Sequence, residues 1–450
     1  MSNFKIIICI IILLGIYLFG RMISFKGITA PQTLNAVSFI PSLFLLLFYV
    51  ESWDVDLSIL TITLIIIQPI IFTVISIGIK AIFSKKSKRD NNTFVFAVGT
   101  IRTPNIIILT FFSIISLIFL IGYEISYLGS FTNFSTLLFQ FRYASSTGEA
   151  IDLPGLVSVF RLFSVYSGFI WIYLLIINVL EKRKKHSKLY LLNLLLSFLT
   201  CIAMGARGTA LMLIASGAIQ FLFLYYRKIN YSNDSIASRK IREKKFKKNI
   251  YILALICILA ATQFDKLANL MGRDTSDFTG LYYLALYLSA PIKNLDTFLR
   301  EGCMGFATSF GNSKTLGLLI AYLGPKYFGF TPHYAAFEYK YVNGLFMGNV
   351  YTAYANFYYD YGIISFLFFS IIMAILTNYT YSKSLYSYNH YTNDICVPLI
   401  IYSIMAFGLI FNFFANEYYN TIFNIGFFRG IIILLFVRWF LLKVRFTFGK

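Results

Sequence analysis

The sequence predicts an all-α polytopic integral membrane protein: about 11 transmembrane helices (10–12) in one domain over 1–450, with a large late external loop at 265–359. Three observations carry this. The 450 residues are 58% hydrophobic and only 13% charged, with a mean hydropathy of +0.72, far from an ordinary soluble domain. Apolar runs near the ~20 residues that cross roughly 30 Å of hydrocarbon recur along the whole chain. The charges between those runs are also sorted. Loops of one parity hold 27 Lys and Arg against five acids, and those of the other hold 12 against 14. The formal +20 therefore belongs to one face, and the positive-inside rule labels that face cytoplasmic.

The runs lie near 5–20, 36–50, 57–79, 104–125, 156–180, 189–204, 209–226, 249–264, 361–380, 395–413 and 422–442. Lipid leaves no partner for an open backbone, so continuous apolar runs mean a helical bundle. Pro41 marks the expected start of regular helix in the short second run. The basic loops carry Arg21 and Lys26, then Lys85 to Arg89, Lys182 to Lys185, Arg227 to Lys248, and the tail from Arg438. An odd count of spans with a cytoplasmic C-terminus places the N-terminus outside, and Lys5 against Arg21 and Lys26 agrees. No small-residue cleavage site follows the first run, which reads as a retained span.

Several functional classes are excluded by what the sequence lacks. No Gly-rich phosphate loop of the Walker or Rossmann type occurs, so neither ATP nor a dinucleotide is implied, and no cofactor is expected. His186, His333 and His390 are too scattered for a metal site. Cys9, Cys201, Cys257 and Cys396 lie in or beside apolar runs and leave Cys303 alone outside, so no disulfide framework is expected. The block Arg239 to Lys248 reads as an anchor on anionic lipid head groups, not as a nucleic-acid patch.

The loop after the eighth run contains Arg273, Asp274, Asp277, Asp296, Arg300, Glu301, His333, Glu338 and Lys340. Its apolar pieces Leu281 to Ala290 and Leu316 to Leu323 are too short to span and read as helices lying on or dipping into the outer leaflet. A loop of this length with its own helices suits a binding cap. The segment Leu128 to Pro154 is the second external stretch. Tyr282, Tyr283, Tyr287, Tyr351, Tyr354, Tyr358, Tyr359 and Tyr361 gather at external helix ends, where rings either stack on sugars or form the interfacial belt.

Few charges on the near-neutral face invite chemistry. Arg207, in the tight turn Gly205-Ala-Arg-Gly208, is forced to the external surface, and its planar fork suits a diphosphate; a snorkelling arginine is the plain alternative. Arg429 sits about two turns inside the last run, where a charge needs a partner or a cavity. Glu417 is one such partner. Arg161 occupies the matching place in the fifth run, and Arg142 and Arg273 complete a diphosphate-binding set. Asp360, in Tyr358-Tyr-Asp-Tyr-Gly362, is either a catalytic base or a helix cap. His333 and Asp56, the latter in Asp54-Val-Asp56, are further catalytic candidates.

Gly348-Asn-Val-Tyr351-Thr352-Ala353, followed by Tyr358-Tyr-Asp360-Tyr-Gly362 and an apolar run, resembles the Wzy-type O-antigen or polysaccharide repeat-unit polymerases. The Arg-Gly turn Gly205-Ala-Arg207-Gly208 and the order of spans and loops are also similar to that family. The resemblance implies a membrane glycosyltransferase of lipopolysaccharide or capsule biosynthesis, in the bacterial inner membrane with its site facing the periplasm. It would transfer the growing glycan from undecaprenyl diphosphate to the non-reducing end of the next undecaprenyl-diphosphate-linked repeat unit. Asn349, Tyr351, Thr352 and Tyr358 would then bind substrate. Partners would be lipid-linked oligosaccharides, membrane lipid, and a chain-length regulator and flippase of the same pathway, with no nucleic acid. An O-antigen ligase and a polysaccharide transporter or flippase are the rival readings. A transporter should place charges at midmembrane and show related halves; here polarity collects at one face.

Overall fold

The computed structural model describes residues 2–24, 27–84, 100–128, 137, 140, 153–203, 207–231, 244, 280–301, 310–329, 337–390 and 394–445. It is helical almost throughout. In chain order the helices are α1 (Ser2–Ile23), α2 (Pro31–Ser38), α3 (Ile40–Leu46), α4 (Ile59–Ser84), α5 (Thr103–Leu128), α6 (Gly155–Leu180), α7 (Ser187–Ala203) and α8 (Arg207–Tyr231). There follow α9 (Gly280–Leu288), α10 (Ala290–Glu301), α11 (Gly317–Leu323), α12 (Ala353–His390), α13 (Val397–Ile410), α14 (Glu417–Ile422) and α15 (Ile425–Lys443). Among the described residues, eight helical stretches are long and apolar enough to cross a membrane, and 187–203 and 397–413 are shorter apolar helices. The protein is thus an all-α membrane protein. The predicted run 249–264 lies outside the described residues, as does most of 128–154.

The second run differs from expectation. Helix starts at Pro31, not near 36, and the stretch is two short helices broken at Phe39, with Pro41 in the first turn of the second. Each proline occupies a first-turn position, where a missing N–H costs nothing. The periodic apolar pattern runs unbroken through Phe39, so it hides the break. The ninth run is also longer than its apolar part, because α12 continues through the polar Tyr-Ser-rich stretch to His390.

Among the described residues, the ion pairs join partners from the same charge set. The ion pairs Lys5–Asp56, Arg300–Asp56, Arg300–Asp296 and Lys340–Glu301 join residues from the near-neutral set. Lys228–Glu181 and Arg438–Asp394 join residues from the basic set. Lys80 donates to the Ile23 carbonyl and Asn105 to that of Phe440, again at the basic end.

Within lipid, packing relies on small residues and buried hydrogen bonds. The centre is Gln68 of α4, whose side-chain oxygen accepts from Asn35 (2.8 Å), Tyr354 (2.7 Å) and Asn412 (3.4 Å), while its amide donates to Ser370 (3.2 Å). That one side chain ties α2, α4, α12 and the end of α13. Asn193 of α7 donates to Thr110 of α5, and Ser197 to the Ser164 carbonyl of α6.

The late loop does not simply lie over the bundle. Helices α9 and α10 bury Ala285, Ile292 and Leu295, and Ser289 between them donates to the Ser42 carbonyl of α3. Helix α10 grips the first loop: Asp296 accepts from the Ser58 amide and the Thr61 hydroxyl, both at 2.7 Å, satisfying free donors at the start of α4. Strands β1 (Lys340–Val342) and β2 (Leu345–Gly348) form an antiparallel hairpin. Its turn is Asn343-Gly344, with φ of 50° and 76°, a two-residue turn that suits the strand twist.

Candidate functional site

Helix α12 breaks after its eighth residue. Tyr361 and Gly362 leave the helical region, and Gly362 takes φ 64°, ψ −142°, a conformation that a Cβ would forbid. Ser365 caps the lower segment by accepting from the Tyr361 amide at 2.8 Å. Asp360 therefore closes the upper segment and caps neither part of its own helix. Its carboxylate, 1% exposed, accepts from Ser313 Oγ (2.6 Å) and from the amides of Lys314 (2.8 Å) and Thr315 (3.3 Å). The expectation of an acid at the head of a span, free to act or to cap, gives way to an anchor for the strap 313–315.

The strap is held from three sides. Asn356 of α12 donates to the Lys314 carbonyl, and Asn416 donates to the Thr315 carbonyl at 2.8 Å. The Lys314 ammonium lies over the rings of Phe337 (4.0 Å) and Tyr359 (4.7 Å), a favourable place for a desolvated cation. Burial pulls its pKa below the usual lysine value, while Asp360 opposes the change.

Asn416 begins α14, and the next residue is Glu417. Three further contacts fix this short helix. Tyr418 pairs with Thr377 at 2.9 Å, Tyr419 donates to the Phe369 carbonyl at 2.5 Å, and the Tyr418 backbone lies against Gly408 of α13. The result is a pocket of about 220 Å³ lined by Gly208, Thr209 and Met212 of α8, Phe407 of α13, and Glu417 and Thr421 of α14. Burial raises the Glu417 pKa above the usual carboxylate range.

The pocket thus faces the first turn of α8, which begins at Arg207. Free N–H groups and the helix dipole make such a turn receptive to anions. Arg161 of α6 lies beside Cys201, near the end of α7. It lies two turns before Gly168, whose face meets Ser197 of α7 and Leu213 of α8, on the side of α6 that packs against those helices. Cys201 and Tyr166 are its neighbours, and its Nε is buried without a hydrogen-bond partner among the described residues.

Other candidates are dispersed. Arg429 is only one turn inside α15, not two, because helix starts at Ile425. It lies on the exposed face with Phe428, Ile432, Leu435 and Phe436; that side is apolar, so the arginine reaches the surface along its own stem. No ion pair joins it to Glu417 among the described residues. Asp56 is half-exposed and bonded to Lys5 at 2.7 Å, the largest of the effects that hold its pKa below the ordinary value. It stands in an ion-pair group with Arg300, remote in sequence from the α8 turn. Tyr351 donates to the Glu338 carbonyl and packs on Phe298 and Phe337. Thr352 is fully buried, and Asn349 and Tyr358 are half-buried. The tyrosines do not form one group: Tyr354 is a core residue on Gln68, Tyr283 and Tyr287 pair near Phe414, and Tyr359 covers Lys314. Arg142, Arg273 and His333 lie outside the described residues, and so does the side chain of Arg207.

In the sequence Glu417 stands out only as a partner for Arg429. The scarcity of carboxylates in the last external segment was the available signal. Lys314 carried none, since its burial depends on rings brought in from 337 and 359. Compared with models of known protein families, with curated proteins and with solved structures, the chain matches none of them.

Proposed function

We propose that this protein is a membrane glycosyltransferase that polymerises lipid-linked oligosaccharide repeat units. The single observation carrying this reading is the pocket in which the first turn of α8 faces Glu417. An anion-receptive helix start opposite a carboxyl of raised pKa matches what glycosyl transfer from a diphosphate demands. The acceptor hydroxyl attacks the anomeric carbon and gives its proton to Glu417. The bond from that carbon to the diphosphate oxygen breaks, and undecaprenyl diphosphate leaves with the electron pair. Its charge is met by the α8 amides, Arg161 and Arg207. Arg142 and Arg273 complete the anion set in this reading, and Asp56 and His333 yield the role of base to Glu417. The basic end of the bundle faces the cytoplasm and the pocket faces the periplasm of a bacterial inner membrane, across about 11 spans. The donor diphosphate is already activated, so no nucleotide is required.

The test is Glu417→Gln in a strain whose surface polysaccharide is displayed on a gel. The amide has nearly the same shape but takes no proton, so long chains should vanish while single-repeat-capped core remains and protein abundance is normal. Loss of every capped form points to a ligase or a flippase instead. The base works only when deprotonated, so polymerisation in isolated membranes should fall as pH drops through the raised Glu417 pKa, earlier than for an ordinary glutamate. Wild-type chain lengths from Glu417→Gln refute the assignment.

A further inference from the structure

We propose that Asp360 is a positioning residue for the Glu417 carboxyl, acting through the buried strap 313–315 and Asn416. The proposal rests on the reading of Glu417 given above for its functional meaning, but its geometry stands separately. Both Asp360 oxygens are occupied by strap donors, and the side chain is almost fully buried, so it reaches no substrate. The strap passes the constraint on. The Thr315 amide points to Asp360 while the Thr315 carbonyl accepts from Asn416, so one peptide unit on either side of Thr315 joins the kinked helix to the residue before Glu417.

Asn416 makes this link at a cost to its own helix. It occupies the N-cap position of α14 yet makes no side-chain cap bond, although asparagine is among the best residues for that task. Its amide is spent on the strap, and its side-chain oxygen is buried without a partner among the described residues. The arrangement trades local helix stability for a fixed approach of α14 to α11. Ser313 adds to the rigidity by donating to Asp360 while accepting from the Leu316 amide. The break at Tyr361 and Gly362 sets the direction of the upper α12 segment that carries Asp360 to the strap. A carboxylate is required at 360 because three donors converge there. An amide has one acceptor oxygen and would turn its own N–H groups toward the backbone amides.

If Asp360 holds Glu417 at its half-buried place, loosening the strap must admit water to the pocket and make Glu417 a more ordinary acid. The pocket residues facing Glu417 (Gly208, Thr209, Met212, Phe407 and Thr421) include no titratable group. Lys314 and Asp360 lie behind Asn416, Arg207 heads α8, and Arg161 lies on α6 beside Cys201. The readout is modification by N,N′-dicyclohexylcarbodiimide, which labels protonated carboxyls, on the full-length protein in native membranes. Labelling of the Glu417 peptide is followed by mass spectrometry across pH. Asp360→Asn and Asn416→Ala should each lower the labelling midpoint by about one pH unit, and Asp360→Glu, which keeps the acceptors, should restore most of it. Asn193→Ala, an equally buried change in α7, should leave the midpoint in place. If Asp360→Asn accumulates poorly, Asn416→Ala and Ser313→Ala carry the same test. Wild-type midpoints in the strap variants overturn the proposal. The measurement needs no substrate, so a protein that polymerises nothing can still pass it, whereas wild-type chains from Glu417→Gln would sink the functional reading and leave the strap coupling untouched.

Discussion

Gly408→Ala tests the seating of α14 with a single methyl group. A Cβ at 408 would lie 2.6 Å from Tyr418 Cα and 3.0 Å from both its Cβ and its backbone nitrogen. Carbon atoms in contact prefer about 3.5–4.0 Å, so the two backbones must separate by roughly 1 Å. A backbone has no rotamer to escape into. Overpacking of this kind costs about 1–3 kcal/mol, against about 0.5–1 kcal/mol gained from replacing a helical glycine. The net expectation is a destabilisation of about 1–2 kcal/mol, read by SDS titration of the purified protein in mixed micelles. The same shift moves Glu417, the proposed base, and a misplacement of about 1 Å at a reacting group can cost on the order of 100-fold in rate. Chain length on a gel should therefore fall further than the folded fraction does. Gly217→Ala is the control. Its Cβ would meet Ile172 Cδ1 at 2.1 Å, but that atom ends a flexible side chain that rotates away, so the cost should stay under about 1 kcal/mol. Equal stability of Gly408→Ala and wild type, with equal chain lengths, refutes the close packing of α14 on α13.

Two other outcomes follow from the bundle. Gln68→Leu strips Asn35, Tyr354 and Asn412 of their shared acceptor and should cost about 2–4 kcal/mol, at about 0.6–1.7 kcal/mol per lost bond in a membrane. A Tyr354→Phe partner should recover part of that in a double-mutant cycle, and strict additivity would exclude the shared acceptor. Cysteines placed at Asn343, exposed on the hairpin turn, and at Lys184, exposed in the basic turn after α6, should differ in labelling by an impermeant thiol reagent on intact spheroplasts. Asn343→Cys should react and Lys184→Cys should not; the reverse pattern inverts the proposed orientation.

Much of the architecture was legible because its causes are local. A run such as 57–79 is apolar at every phase, so it is recognised without knowing its neighbours, and α4 duly covers Ile59–Ser84. The sorting of Lys and Arg between loops is a property of the chain's order alone, and ion pairs such as Lys5–Asp56 and Lys228–Glu181 respect it. The short loop pieces near 281–290 and 316–323 also emerged as helices. Local signals failed where two causes compete. At Phe39 the apolar pattern conceals a break, and at Asn343-Gly344 the short strands beside the turn carry too few residues to stand out from the long external loop.

The site divides along the same line. That a helix opens close to Arg207 follows from the residues themselves, because an apolar run begins just after it. That Asp360 meets 313–315, that Asn416 meets Thr315, and that Glu417 faces Gly208 are decided by which helices pack together. The sequence also placed Arg429 inside a span but not on a face: its outward direction depends on Gly430 and Phe427 taking the side against the bundle. Helix formation is set by hydrogen bonds within a few residues and by the absence of water from lipid. The direction of a polar side chain is set by which neighbouring helix offers it a partner, and only the assembled bundle supplies that.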